Sequence, residues 1–355
     1  MLLASLQSHK AIPTMNPTWL EHLAKAGAVF EDSAVAHFGN PEAELRASAT
    51  GTTLMDLSQY GLLAVTGEDA QPFLQGQFTN DVTQASVSQG QYSALCTPKG
   101  RMLASFFLWR EADGYRLQLP LAMLEGFRKR LAMYVLRSKV QIADRSDDGA
   151  RFGIAGPRAA ELLGRHGISL PVNDRGIIAS EDITLIRFGD SRFEIVTATD
   201  KGIALWNMLA ADCTPVGSQR WDWLDIQAGI PTILPTTREE FVPQMVNFEA
   251  LGGVSFKKGC YTGQEVVARA QHIGQVKRRL YLAHVESGEA PQPGAPLHYP
   301  GSEEAASGKI VNAEASPEGG WDVLAVIPVA AASGEIRLHG QQGPLLEIRT
   351  LPYSV

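Results

Sequence analysis

The feature that most narrows the possible folds is an internal echo. Ala64-Val65-Thr66-Gly67-Glu68-Asp69-Ala70-Gln71-Pro72-Phe73-Leu74 lines up with Gly153-Ile154-Ala155-Gly156-Pro157-Arg158-Ala159-Ala160-Glu161-Leu162-Leu163. Each copy reads apolar strand, glycine turn, alanine, then paired apolar residues at the same spacing. A second strand and a long helix follow each: residues 115–119 and 121–136 in the first, 193–196 and 201–211 in the second. The pattern predicts two related α/β units. Asp69 is placed to cap the first short helix, over 70–75, with Pro72 confined to its first turn. Leu124, Phe127, Leu131 and Tyr134 share one face of the longer helix and read as core, and residues 136–140 turn into a strand. Before the echo lies an amphipathic helix carrying Trp19, Leu20, Leu23 and Ala24, then polar linker to about Ala49. Beyond Arg279 the texture changes to short alternating runs split by Gly and Pro, over 280–285, 309–315, 321–329, 335–338 and 345–349. That spacing predicts a small C-terminal antiparallel β-barrel. The fold class is α+β, with a leader and helix over 1–45, α/β units over 46–150 and 151–279, and the barrel over 280–355.

At 355 residues the chain is long enough for two or three domains. It has no apolar run of about 18 residues, which argues against a membrane span. A net charge of −7 argues against a general binder of nucleic acid or anionic membrane. Three cysteines without C-x-x-C spacing fit a reducing cytoplasm and predict neither a disulfide scaffold nor a stably bound metal. Met15 is a second candidate start, which would leave residues 1–14 as a leader. Charge is uneven. Lys257, Lys258, Arg269, Lys277, Arg278 and Arg279 crowd one stretch against a single acid, Glu265.

That stretch opens with Lys257-Lys258-Gly259-Cys260-Tyr261-Thr262-Gly263-Gln264-Glu265. Thr262 and Glu265 have capping-box spacing and predict a helix from Gly263 to about Gln271, with Gly274 just beyond its end. Cys260 then faces the positive end of the helix dipole with Lys257 and Lys258 close by in sequence. Both influences favour thiolate, predicting a nucleophilic or ligating sulfur. A small buried hydrophobe is the ordinary alternative for a free cysteine, and the local pattern leaves both open.

Lys258-Gly259-Cys260-Tyr261-Thr262-Gly263-Gln264-Glu265 resembles the signature of the YgfZ family, folate-binding proteins related to the aminomethyltransferase (T-protein) of the glycine cleavage system. Residues 241–244, 252–256, 268–269, 136–140 and 351–354 are similar to the same family. The resemblance implies a three-lobed T-protein fold and tetrahydrofolate or a folate derivative as cofactor. It implies a role in iron–sulfur cluster assembly or repair, with cluster-dependent tRNA modification downstream. Partners would then be folate and iron–sulfur proteins or their assembly machinery.

A folate needs aromatic stacking, hydrogen-bonding groups for the pterin edge and cations for its glutamate tail. Carried over by motif, the stacking residues are Tyr60, where the family commonly has tryptophan, and Trp221, which reads equally well as a core anchor on a helix capped by Ser218. Gln77 and Asn80 in the family-like segment 75–82 would line the cavity, while Asp81 caps the turn after them or joins them. Lys99, Arg101, Tyr261, Gln264, Glu265 and Arg269 complete the expected contacts. Where aminomethyltransferases carry a catalytic aspartate, this chain reads Gly100-Arg101-Met102-Leu103-Ala104-Ser105. With no carboxylate there to manage the proton of aminomethyl transfer, the sequence leans away from an enzyme. On this reading Cys260 transiently ligates iron, holds a sulfur or forms a mixed disulfide. A cluster usually takes four thiolates, so a partner must share it. A folate-dependent one-carbon enzyme and a protein that binds tRNA directly through residues 257–279 are the alternatives.

Overall fold

A computed structural model describes residues 16–272, 276–299 and 308–355. The leader, with the choice between Met1 and Met15, lies outside the described residues, as does Gly274.

The chain begins with α1 (Pro17–Lys25), β1 (Val29–Glu31), β2 (Ala34–His37), α2 (Pro41–Thr50), β3 (Thr53–Asp56), β4 (Tyr60–Thr66) and α3 (Ala70–Gln75). It continues through β5 (Gln91–Cys96), β6 (Met102–Glu111), β7 (Gly114–Pro120), α4 (Leu121–Ala132), β8 (Gln141–Asp144), β9 (Ala150–Ala155) and α5 (Ala159–Arg165). Next come β10 (Ile177–Ala179), β11 (Ile183–Phe188), β12 (Arg192–Thr197), α6 (Thr199–Ala210), β13 (Thr214–Val216), α7 (Gln219–Gln227) and α8 (Gln264–His272). Six strands end the chain: β14 (Arg278–Val285), β15 (Pro296–His298), β16 (Gly308–Ala315), β17 (Trp321–Pro328), β18 (Arg337–Leu338) and β19 (Leu346–Arg349).

The echo is structural. In both copies the turn glycine is left-handed, Gly67 at φ 112° and Gly156 at φ 124°, and its carbonyl accepts the N–H of Ala70 or Ala159 at 3.1 Å. A Cβ at either glycine would sit 2.1 Å from a carbonyl oxygen, so the turn admits no side chain. The strands that follow build sheets of matching order, β5-β6-β7-β4-β8 and β10-β11-β12-β9-β3-β13. One detail breaks the simple repeat: β3 precedes β4 in the chain but pairs with β9, while β8 precedes β9 but pairs with β4.

The compact units therefore cut across the boundaries expected at 46, 151 and 280. One runs to Gly61 and resumes over Asp144–Gln219; the other comprises Leu62–Ala143 and Arg220–Val355. In the first, Trp19 stacks on Phe152 with centroids 5.7 Å apart and meets Trp206 edge-on at 5.5 Å. The stretch expected as polar linker holds a hairpin and a helix. Its organiser is the buried Glu44, whose carboxylate accepts the N–H groups of Phe38, Asn40 and Gly217 at 2.7, 3.1 and 3.2 Å.

In the second unit, Leu63, Val65, Phe106, Leu117, Leu124, Phe127 and Leu131 form the core between the five-stranded sheet and α3 and α4. Asp69 makes no side-chain cap; its carboxylate accepts the Lys139 N–H at 2.7 Å instead. The long helix stops at Ala132, and the expected strand over 136–140 starts five residues late, at Gln141. Between the two the chain passes through i→i+3 turns and a left-handed Leu136 at φ 45°. The five C-terminal runs all become strands, joined by the short β15, in the order β18-β15-β16-β17-β14-β19. This antiparallel sheet curls into a partly closed barrel, with an isolated bridge from Arg337 to Leu345 between its edges.

Candidate functional site

Four of the segments singled out in the sequence meet in the second unit. Thr79 is their hub. Its N–H donates to the Ala94 carbonyl at 3.0 Å, and its hydroxyl accepts the Ala94 N–H at 3.0 Å. The same hydroxyl donates to the Gly253 carbonyl at 2.7 Å, and the Thr79 carbonyl accepts the Ser255 N–H at 3.0 Å. Beside it, both amide hydrogens of Asn80 are taken by the carbonyls of Tyr92 and Gly252, at 2.8 and 2.7 Å. Asp81 accepts the Thr83 N–H at 3.1 Å and caps a short 3-10 turn.

Lys258 closes this seam. Its Nζ donates to the Phe78 and Asn80 carbonyls at 2.7 and 2.8 Å and lies 5.2 Å from the centre of the Tyr261 ring. Burial pushes its ammonium down to about 8, against the pull of Asp81. Lys258 thus acts as a strut in the loop rather than as a free cation beside the thiol. Burial likewise raises the Tyr261 phenol, with Cys96 adding to the effect. Between these two inward anchors the chain bows outward, leaving Gly259 and Cys260 exposed. The buried-hydrophobe alternative belongs to the other cysteines: burial pushes the Cys96 thiol up to about 12 and Cys213 to about 11.

The helix after Cys260 starts differently from the expected capping box. The Gln264 N–H donates to the Tyr261 carbonyl at 3.2 Å, and Gly263 is left-handed at φ 86°, the geometry of a type II turn. The helix begins one residue late, and no Thr262–Glu265 capping bond occurs among the described residues. Gly263 is required here for a second reason. A Cβ on it would lie 2.4 Å from the Thr97 carbonyl oxygen, and a Cβ on Gly100 would lie 2.9 Å from Val266 Cβ. The turn over residues 97–101 and the turn before α8 therefore pack backbone to backbone.

Other predicted contacts are more scattered. The Arg101 guanidinium donates to the Glu240 carbonyl. Lys99 is exposed, Gln264 half-buried, and exposed Glu265 and Arg269 approach only to 3.9 Å. Gln77 Oε1 is buried with no hydrogen-bond partner among the described residues. Tyr60, in the first unit, is 8% exposed; its carbonyl accepts from Arg151, and its side chain is in phase with Leu62 and Ala64, away from the Leu63–Val65 face. Trp221, in the second unit, is 3% exposed on α7. Ser218 Oγ has no partner among the described residues, so the cap expected there is not made among them. The six-cation stretch is also dispersed: Lys258 is buried and Arg279 pairs with Glu249, leaving Lys257, Arg269, Lys277 and Arg278 exposed.

The sequence reading passed over two buried polar clusters. In the first unit Asp56, Arg151 and Glu194 are all buried, and Asp56 accepts Trp19 Nε1 at 2.7 Å and the Ser58 hydroxyl at 2.9 Å. Burial lowers Arg151 while Glu194 and Asp56 oppose the shift, and burial raises the Asp56 carboxyl. In the second unit, Trp223 Nε1 and Gln227 Nε2 donate to Asp322 Oδ2 at 2.8 and 3.0 Å, while Arg220 donates to the Ala315 carbonyl at 2.8 Å. The Asp56-Leu57-Ser58 turn is the only local signal for the first cluster, and nothing local marks the second.

Three comparisons bear on this arrangement. A model of the GCVT N-terminal domain matches residues 17–249. The tRNA-modifying protein YgfZ of Cronobacter sakazakii is 33% identical over 308 residues, covering 85% of this chain and 93% of that protein. Its counterpart from Yersinia enterocolitica is 34% identical over 315 residues, 88% of this chain and 95% of that protein. The crystal structure of glycine cleavage system aminomethyltransferase T from Bartonella henselae superposes with a TM-score of 0.75 at 19% identity, covering 94% of this chain and 96% of that one. The fold is that of the T-protein.

Proposed function

The chain belongs to the YgfZ family of GCVT-domain proteins, and from that membership we propose that it serves tRNA modification by presenting the Cys260 thiol to iron–sulfur chemistry beside a bound folate. The observation that carries this reading is the exposed Cys260 on a loop fixed from both sides, by Lys258 in the 78–80 seam and by the buried Tyr261. A lone exposed sulfur on such a tip is suited to exchange: it can ligate one iron, or take the sulfane sulfur of a partner's persulfide, whose thiol leaves, and pass it on by the reverse step, without rearranging the fold. Since clusters usually take four thiolates, the remaining ligands come from the partner. Thiol chemistry of this kind belongs to a reducing compartment such as the cytoplasm, where all three cysteines stay free.

Support for folate rests on the family and on one atom. Gln77 Oε1 is a buried acceptor without a donor among the described residues, and the edge of a pterin carries N–H groups to satisfy it. Lys99 is the exposed cation suited to a glutamate tail. When bound, a reduced folate supplies a carrier for one-carbon units; the residues here bind and orient it.

The test is complementation. Cys260→Ser should leave the melting temperature and folate affinity unchanged and abolish restoration of tRNA modification in a strain lacking the gene. Full complementation by the serine variant would remove the thiol from the function.

A further inference from the structure

The C-terminal end of α4 is built to display two large apolar side chains. After Ala132 the helix tightens into i→i+3 turns, Tyr134 N–H to Leu131 at 3.1 Å and Val135 N–H to Ala132 at 3.2 Å, and Ser138 N–H returns to Val135 at 2.8 Å. The far end is pinned as well, with the Lys139 N–H held by Asp69 at 2.7 Å and its Nζ by Glu68 at 2.6 Å. On this knuckle Met133 is 69% and Leu136 88% exposed. Leu136 reaches that exposure at φ 45°, a conformation bulky residues rarely adopt and one glycine or asparagine adopts readily. Folding alone gives no reason for a strained, solvent-facing leucine. Next to it is a shallow, open hollow lined by Pro72, Phe73, Tyr134, Leu136 and Arg137, together with the polar Asp69 and Ser138.

The charge around the knuckle narrows the choice of occupant. Arg128, Lys129, Arg130, Arg137 and Lys139 face three carboxylates: Glu125, which Arg128 and Lys129 share, Glu68, which pairs with Lys139, and Asp69, which holds a backbone N–H. Arg130 and Arg137 have no ion pair among the described residues. On a chain of net charge −7 this is a local positive excess. Exposed Met and Leu gain nothing from a phosphate backbone, which favours lysine, arginine and stacking aromatics, whereas apolar anchors ringed by arginine suit a protein surface.

We propose that the knuckle over residues 133–137 is a docking surface for a second protein, which presents an acidic amphipathic helix with its apolar side chain in the hollow. The proposal is independent of Cys260 and of folate.

The test uses the full chain and a synthetic 18-residue helical peptide with leucines at i, i+3 and i+7 and glutamates elsewhere, read by fluorescence anisotropy. A peptide of the same composition with scrambled spacing and a single-stranded RNA oligonucleotide serve as controls. The patterned peptide should bind, the scrambled one should bind at least ~10-fold more weakly, and Leu136→Asp and Arg137→Glu should each weaken binding ~10-fold. Leu136→Asn separates contact from folding: it should raise the melting temperature by about 2 °C by relieving the left-handed strain, yet weaken the peptide. Equal binding of both peptides, a patterned peptide indifferent to Leu136→Asp, a lower melting temperature for Leu136→Asn, or RNA binding that depends on Arg137 in place of peptide binding would each overturn the proposal.

Discussion

Cys260 and Lys258, two residues apart, have opposite fates. The cation faces inward and the sulfur outward, because the chain bows out through Gly259 and Cys260 between the buried Lys258 and Tyr261. Replacing Lys258 by Met would orphan the buried Phe78 and Asn80 carbonyls, at a cost of about 2–3 kcal/mol. Urea denaturation should show a lower midpoint with an unchanged slope. Gln77→Leu removes a buried acceptor that has no donor among the described residues; if folate binds as proposed, its affinity should fall about tenfold with little change in stability. Isothermal titration with a reduced folate measures this, and an unchanged affinity would move the pterin elsewhere. The motif singled out Cys260 among the three cysteines, and it is the exposed one. The roles of Lys258 and Asn80 were not, because both serve backbone carbonyls brought close only by the chain's return from residue 252 to residue 80.

The elements most faithfully foreseen were those with a strong local period. The strand-turn-helix pairs around Gly67 and Gly156 and the C-terminal runs were plain, whereas β1, β2 and β15, of three or four residues, are too short to show alternation. The start of α8 was misplaced by one residue because a capping box and a type II turn share the sequence Thr-Gly, and packing against Gly100 settles it. Helix α7 illustrates a tertiary cause: it is fixed to the barrel by Asp322, which also accepts from His284 Nδ1 at 2.9 Å and Arg349 at 3.3 Å. Burial alone would lower the His284 imidazole, but the hydrogen bonds to Asp322 and Glu286 outweigh it and hold the pKa above its ordinary 6.5. Its contribution to stability is therefore full below about pH 6.5 and is lost as pH rises through the folded value. Thermal unfolding should show a drop in melting temperature from pH 6 to pH 9 that shrinks in His284→Asn. The same drop in that variant would assign the titration to another group.

At the scale of the molecule, the repeat was readable but its division was not. Each sheet takes a strand from the chain segment that leads into the other, β3 beside β9 and β8 beside β4, and no local pattern records which partner a strand chooses. A fragment ending at residue 143 keeps β3 but lacks β9, and should fail to give a cooperative melt. Mixing it with residues 144–355 during refolding should restore one, and independent cooperative unfolding of the two fragments would contradict the pairing. The same exchange says something about origins. Two half-length chains that each lent a leading strand to the other would form a symmetric dimer. Joining them end to end turns that mutual loan into a permanent tie, after which the two halves are free to diverge in chemistry while remaining unable to part.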